Sequence, residues 1–425
     1  MGIPTSMDKP VNTAIEITGF RLLFLAITAA LSGFLFGYDT TVINGAEQRL
    51  QEIWNSTPFM HGLVVSAALW GTVLGSVIGG KVTDFLGRKP TLFLIGVLYF
   101  LSAVWSAFPA GPYTMMVARF IGGVGVGISS IAAPVYIAEI SPAASRGKLT
   151  ALFQFNIVFG VCVALGCNYL LSGIGENAWR FMLGSEAVPA LIFVLLCPFL
   201  VESPRWLALK LAPVEKSVSL EPKERFFSRK LLYPISLAFF VAFFNQLSGV
   251  NAIWYFAKRI FEMAGLGSSA LLVTAGLGVV NFIATAAGVW LIDRMGRKTL
   301  LLIGGIGYVI SLASCSLCFF FDHGAWAAAF IFLFMISHAV GQGTVIWVLI
   351  AEVFPQKFRA QGQALGSFTH WFFAALLTFT FPTMAAKLPP YVIFGIFFVM
   401  MVFHLIWVVT MVPETKGKQL EEIQL

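Results

Sequence analysis

Twelve stretches of about twenty mainly apolar residues, set apart by short polar clusters, constrain this 425-residue chain more than any other feature. A bilayer's hydrocarbon core is about 30 Å thick, which a helix rising 1.5 Å per residue crosses in about 20 residues. A helix also satisfies its backbone polar groups internally, as lipid requires, so the expected fold is an all-α membrane protein. The stretches fall near 21–44, 60–80, 91–108, 114–138, 149–171, 181–200, 232–256, 268–291, 299–321, 325–350, 362–385 and 390–411. An even number of spans puts both chain ends on one side.

Composition excludes the soluble alternatives. Hydrophobic residues make up 58% of the chain and charged residues 11%, against about 25% charged in soluble domains. The 42 Phe and 40 Gly suit large lipid-facing side chains and close helix contacts. Cys162, Cys167, Cys197, Cys315 and Cys318 all sit in apolar runs without metal-ligand spacing and are expected to be buried free thiols. The first twenty residues lack a signal-peptide pattern, so the first span is expected to stay as the signal. The net charge of +7 is spread over short clusters between spans, which speaks for topology rather than nucleic acid. With both ends cytoplasmic, 21 of the 27 Lys and Arg face the cytoplasm. Five (Arg49, Arg180, Lys258, Arg259, Lys387) then face outward and Arg119 lies within a span. The positive-inside rule favours that orientation, and the expected location is the cytoplasmic (cell) membrane.

The chain repeats itself at an offset of about 210 residues. Gly80 to Lys89, after the second span, matches Gly288 to Lys298, with Asp84, Gly87 and Arg88 aligned on Asp293, Gly296 and Arg297. Glu139, ending the fourth span, matches Glu352, ending the tenth, and each precedes an arginine by seven residues, Arg146 or Arg359. Glu202-Ser-Pro-Arg205 has a looser partner in Pro413-Glu-Thr-Lys416. The expected organisation is a six-span half at 1–205, a cytoplasmic linker at 206–230 and a second half at 231–425. The linker holds Lys210, Lys216, Lys223, Arg225, Arg229 and Lys230. Acid and base four residues apart can brace loops against neighbouring helix ends and can also break. As static surface bridges they are worth about 0 to 1 kcal/mol each; their recurrence at equivalent places favours a gate.

Three ionisable residues fall inside spans: Asp39, Arg119 and Glu186. Such a group costs about 2.5 to 3.5 kcal/mol at a span centre, so it needs a partner or a water-lined cavity. Asp39 and Arg119 have opposite charge and can pair across the first and fourth spans, an arrangement a proton switch requires. By the offset their counterparts are Asn251 and an apolar stretch near Phe332, so the pair is not a scaffold common to both halves. Glu186 either joins them or faces a polar crevice near Arg180.

Amides concentrate in the seventh span. Asn245, Ser248, Asn251 and Tyr255 are spaced to share a helical face, and Gly249 can break the helix where it lines a cavity. Side chains that both donate and accept, set beside aromatic faces, suit a sugar. Buried amides also serve as interhelical glue at about 0.6 kcal/mol apiece, the reading for Asn156, Asn168, His338 and His404. Gly71, Gly75 and Gly79 give the second span a smooth packing face. The glycines from Gly122 to Gly127 lie mid-span without a preceding strand or a Walker-type Lys, so they are not a nucleotide loop. Met1-Gly2 with Ser6 and the sequon Asn55-Ser-Thr57 are read as chance matches to lipidation and glycosylation patterns.

These motifs together resemble the sugar porter branch of the major facilitator superfamily along nearly the whole chain, and bacterial proton-linked monosaccharide transporters most of all. The resemblance rests on Gly37-Tyr-Asp39, the Asp84 and Asp293 loops, Arg119-Phe-Ile-Gly-Gly, Glu202-Ser-Pro-Arg-Trp206, Gln246-Leu-Ser-Gly-Val-Asn251 and Pro413-Glu-Thr-Lys-Gly417. It implies two six-helix bundles around a central sugar site. It also implies sugar contacts at Gln154, Asn245, Gln246, Asn251, Asn281, Trp347, His370 and Trp371, and proton coupling at Asp39, Arg119 and Glu186. Gating salt bridges are implied at Asp84, Arg88, Glu139, Arg146, Glu202, Arg205, Asp293, Arg297, Glu352 and Arg359. Three features depart from the family: a short loop between halves, Asn245 where a second Gln is common, and His370 where Asn or Gln is usual.

The expected function is import of a monosaccharide by proton symport through alternating access. A passive sugar facilitator is the alternative, and a sugar receptor that signals without transport ranks below it because only twelve residues follow Pro413. No nucleophile, base and orienter stand at plausible spacing for an enzyme. The expected partners are a monosaccharide, protons and the lipid bilayer, with the monomer as functional unit and no nucleic acid, cofactor or metal.

Overall fold

The computed structural model describes residues 19–142, 145–211 and 226–416. Twelve helices among them are long and apolar enough to cross a membrane. They are α1 (Gly19–Gly45), α2 (Pro58–Leu86), α3 (Arg88–Ala107), α4 (Pro112–Ile140), α5 (Arg146–Ile174), α6 (Ala178–Phe199), α7 (Arg229–Met263), α8 (Gly267–Met295), α9 (Arg297–Phe320), α10 (Gly324–Val353), α11 (Arg359–Lys387) and α12 (Pro390–Met411). All twelve expected spans are present, several extended by up to two turns where polar residues continue the helix beyond the apolar core. Proline opens α2, α4 and α12, where its missing N–H would have had no partner. Large apolar side chains such as Phe20, Val77, Leu195, Ile283 and Trp290 stay exposed, an outer surface made for lipid rather than water.

The first six helices form one half and the last six the other. Within the first, α2 packs on α4 and α1 on α5; within the second, α9 packs on α10 and α12, and α7 on α11. The α2–α4 seam follows the glycines: a Cβ on Gly71 or Gly75 would run into the α4 backbone, and one on Gly123 or Gly127 into α2. The mid-span glycine string is thus a packing surface. The halves meet where α2 faces α11 and α5 faces α8. The first and last described residues, Gly19 and Lys416, lie at one end of the bundle, the near end, where Tyr233 donates to the Met411 carbonyl and Lys416 to that of Arg294.

Three spans are interrupted. In α7 the chain turns at Ser248 and Gly249, and Gly249 takes φ +89°, which favours glycine. The expected break is there. The other two were not anticipated: α6 breaks at Ser185–Glu186, and α10 at Gly341, where a Cβ would stand 2.8 Å from the Gly304 Cα of α9. Further corrections concern smaller features. Only Cys197 and Cys315 are fully buried; Cys162, Cys167 and Cys318 are half-buried, and all five are free. A short helix, Pro204–Leu211, takes up the start of the expected linker and packs on α4. Lys216, Lys223 and Arg225 lie outside the described residues, as do Met1, Gly2 and Ser6. Asn55 is exposed in a turn at the far end of the bundle, with φ +44°.

Candidate functional site

A cavity lies between the halves in two adjoining lobes of about 150 and 140 Å³. Asn245, Trp254, His338 and His370 line both; Gln154 and Asn281 line one, and Gln246, Asn251 and Trp371 the other. The breaks in α7 and α10 border this space, the usual place for discontinuous helices in transporters. Of the eight expected sugar contacts, seven are brought together. Trp347 stands behind the wall, its ring 5.0 Å from that of His370. Ser248 and Tyr255 do not line the cavity, because the turn at Gly249 takes the second half of α7 out of register. Trp254 was missed, although it follows Asn251 by three residues and so shares its face.

The cavity amides fall into two groups. Gln246 donates to Asn245 Oδ1 at 2.8 Å and contacts the His370 ring at 3.1 Å, and its Oε1 accepts from Asn251. These four side chains hold one another. Gln154 and Asn281 bond no protein group among the described residues, and their polar atoms open on the cavity. Asn156 and Asn168 bond backbone carbonyls, as expected of structural residues. His338 overturns its structural assignment by facing the cavity.

Beside the cavity, within the first half, Arg119 donates to Asp39 Oδ1 at 2.6 Å and to the Asp39 backbone carbonyl at 2.7 Å. Asp39, Arg119 and Glu186 are each at most 1% exposed. Glu186 faces the Asp39 carboxyl rather than Arg180, which bonds the Ala107 carbonyl instead. The crevice reading is therefore wrong: the turn at Ser185–Glu186 aims this acid inward. Asp39 Oδ2, Arg119 Nε and Glu186 Oε1 are buried without partners. Arg119 thus bonds Asp39, and Glu186 stands as a second buried acid beside that pair.

At the far end, Glu47 in the short helix Glu47–Ile53 is fully buried. His61 contacts its Oε2 at 2.7 Å, and Arg259 of the other half donates to Oε1 at 3.0 Å and Oε2 at 2.6 Å. Burial alone would raise the Glu47 pKa, but the His61 contact and the Arg259 charge hold it below the usual carboxylate value. Asn44 donates to the Trp254 carbonyl and Gln48 to Glu262, and Arg259 also reaches Gln51. Among the described residues, every side-chain hydrogen bond between the halves lies at this end.

The near end carries two matching braces, one in each half. Arg88 makes a two-pronged bond to Glu139, both distances 2.9 Å, and Arg297 meets Glu352 at 2.8 and 3.1 Å. Asp84 and Asp293 add exposed contacts to the same arginines at 3.0 and 3.5 Å. Glu202 accepts from the backbone N–H of Arg88 at the start of α3, and Glu414 from that of Arg297 at the start of α9. Glu414 is partly buried, which raises its pKa, but the backbone N–H groups of Lys416, Arg297, Thr299 and Lys298 outweigh this and lower it. Among the described residues, Arg146, Arg205 and Arg359 make no ion pair, and the Arg88 and Arg297 braces each stay within one half. The single layer expected from the sequence is split in two.

Comparison with known proteins agrees with this geometry. The family described as sugar (and other) transporter matches residues 25–221 and 212–425. An arabinose-proton symporter of Bacillus subtilis is 33% identical over 456 residues, covering 99% of this chain and 98% of that one. A D-xylose-proton symporter of Escherichia coli is 31% identical, with 94% of each covered. The inward-open structure of the E. coli xylose transporter XylE superposes with a TM-score of 0.82 at 29% identity, over 95% of this chain and 99% of that one.

Proposed function

The chain belongs to the sugar transporter family, and from that premise we propose that it is a secondary transporter importing a monosaccharide with a proton by alternating access. The observation that carries this reading is the double duty of α1. Asp39 on that helix closes the buried charge cluster, while Phe36 and Thr40 beside it line the cavity. A change of charge at Asp39 therefore acts on a helix that also touches the substrate.

Among the described residues, the cavity wall carries amides, imidazoles and indoles and no Asp, Glu, Lys or Arg. Such a wall suits an uncharged, hydroxyl-rich ring: amides match hydroxyls as donor and acceptor, and Trp254 and Trp371 cover apolar ring faces. Relatives named as symporters of arabinose and xylose support a monosaccharide as the cargo.

In the charge cluster, one proton taken by Asp39 or Glu186 balances the two acids against Arg119. With Asp39 protonated, its hold on Arg119 weakens and α1 is free to move with the sugar. The intact pair seen here suits the stage after sugar and proton have left. Placing the near end in the cytoplasm, as the Lys and Arg distribution favours, makes this an inward-open form closed outside by Glu47 and Arg259. Arg146, Arg205 and Arg359 are the cations we assign to pairing across the halves when the near end closes. The monomer, embedded in lipid, is the functional unit.

Uptake of radiolabelled pentoses, hexoses and polyols into proteoliposomes, with and without an inward proton gradient, tests this. Accumulation above equilibrium that requires the gradient is expected for at least one monosaccharide. Uptake that stops at equilibrium whatever the pH difference would make the protein a passive facilitator. No uptake of any sugar would defeat the transport reading.

A further inference from the structure

His338 sits where α10 breaks. The helix runs from Gly324 to Val340, stops at Gly341 and restarts at Gln342. Gly341 is required there by its close approach to Gly304, and Thr344 donates to the Ala339 carbonyl at 2.6 Å beside the break. The interruption leaves His338 at the end of the first segment, on the wall of both cavity lobes. Its ring is held from behind by Phe334, stacked at 6.5 Å, and by Tyr308, whose hydroxyl bonds the Nδ1. In front, Gly343 keeps the space open: a Cβ there would lie 3.2 Å from the imidazole Nε2. Among the described residues no protein group bonds that Nε2, and it is not among the buried atoms without partners.

The contact behind the ring decides which nitrogen is left for the cavity. Nδ1 is bonded to the Tyr308 hydroxyl, so Nε2 is the ring nitrogen that a ligand can reach. The α10 break and the buried tyrosine behind it thus fix one imidazole nitrogen at a defined place on an otherwise amide-lined wall.

We propose that His338 is a specificity-determining contact of the transport cavity, hydrogen-bonding one hydroxyl of the sugar through Nε2, with Tyr308 as its positioning residue. This rests on the monosaccharide reading above. It also states what that reading leaves open, namely that one hydroxyl is singled out by an imidazole rather than by an amide.

The test is a binding panel on purified full-length protein in detergent, with D-xylose, D-glucose, D-galactose and L-arabinose and the monodeoxy analogues of whichever sugar binds most tightly. For wild type, deleting one particular hydroxyl should weaken binding tenfold or more. In His338→Phe the parent sugar should fall to the level of that deoxy analogue, and the two should bind alike. His338→Gln, which keeps a hydrogen-bonding group, should restore part of the preference, and Tyr308→Phe should blunt it while leaving the other positions unchanged. A His338→Phe protein that discriminates every analogue as wild type does would overturn the assignment of His338 while leaving sugar transport intact. A wild-type protein that binds none of the four sugars would instead defeat the reading on which the proposal rests.

Discussion

Arg259 of the second half holds the carboxylate of Glu47 of the first by two hydrogen bonds, at 3.0 and 2.6 Å, in a place where Glu47 is fully buried. The two residues lie 212 positions apart and tie the halves together at the far end of the bundle. The far side cannot open without parting them. Hydrogen bonds to a charged group contribute about 1.5 to 3 kcal/mol each, so Glu47→Gln should shift the balance toward far-side opening by roughly tenfold to a hundredfold. Distances between spin labels on the far ends of α1 and α7 should lengthen in the variant. Unchanged distances would make the pair a passenger rather than a latch.

The same contact sets a pH dependence. Glu47 is held below its ordinary value of 4.5 in the closed form and regains that value once released. Closure is therefore favoured by its full amount above about pH 4.5 and weakens as pH falls through the lowered value. Spin-label distances across the far side should be flat from neutral pH down to the carboxylate range and lengthen below it. In Glu47→Gln that acid-induced change should shrink. A change of the same size in the variant would assign it to other carboxylates.

Among the cavity amides, pairing decides what a deletion does. Gln246 is bonded to Asn245, Asn251 and His370, so Gln246→Ala should cost both stability and sugar affinity. Gln154 and Asn281 have no hydrogen-bond partner among the described residues, so Gln154→Ala or Asn281→Ala should weaken sugar binding by about 1 to 3 kcal/mol, with the melting temperature of the sugar-free protein nearly unchanged. Calorimetry and thermal unfolding on the same preparations separate the two effects. Equal loss of melting temperature in all three variants would favour the amides as glue.

At the near end, burial separates braces from candidate gates. The Arg88 and Glu139 side chains are 7% and 10% exposed, and removing one member of such a buried pair costs about 3 to 5 kcal/mol. Arg88→Ala should therefore destabilise the fold. Asp84, 75% exposed, should contribute at most about 1 kcal/mol. Arg359 forms no ion pair among the described residues, so Arg359→Ala should leave stability alone while slowing uptake more than equilibrium binding. Near-side spin-label distances that match wild type in that variant would argue against its gating role.

The sequence carried the plan of the molecule because each of its strongest signals is local. Apolar runs give the spans, the 210-residue offset gives the two halves, and buried charges announce themselves by being rare. Asp39, Arg119 and Glu186 were legible for that reason, and so was the turn at Gly249, which stands in a run of polar residues. The far-side latch was not. Glu47 and Arg259 lie in polar segments between spans where charge is ordinary, and nothing local links residues so far apart. His338 reads as structural because it matches no sugar-contact position of the family the sequence resembles. What brings it to the cavity is the break at Gly341, and a single glycine among small residues gives no sign that a helix stops there.

Asp39→Asn tests the central claim most directly. Asn cannot ionise, so the variant should resemble the protonated form, releasing the hold of Arg119 on the carboxylate while leaving the cavity residues in place. In proteoliposomes it should still exchange labelled for unlabelled sugar across the membrane, yet fail to accumulate sugar when an inward proton gradient is imposed, and Glu186→Gln in parallel tests the rival carrier. If Asp39→Asn vesicles concentrate sugar in response to the gradient as wild-type vesicles do, coupling does not pass through Asp39 and the account given for the buried cluster is wrong.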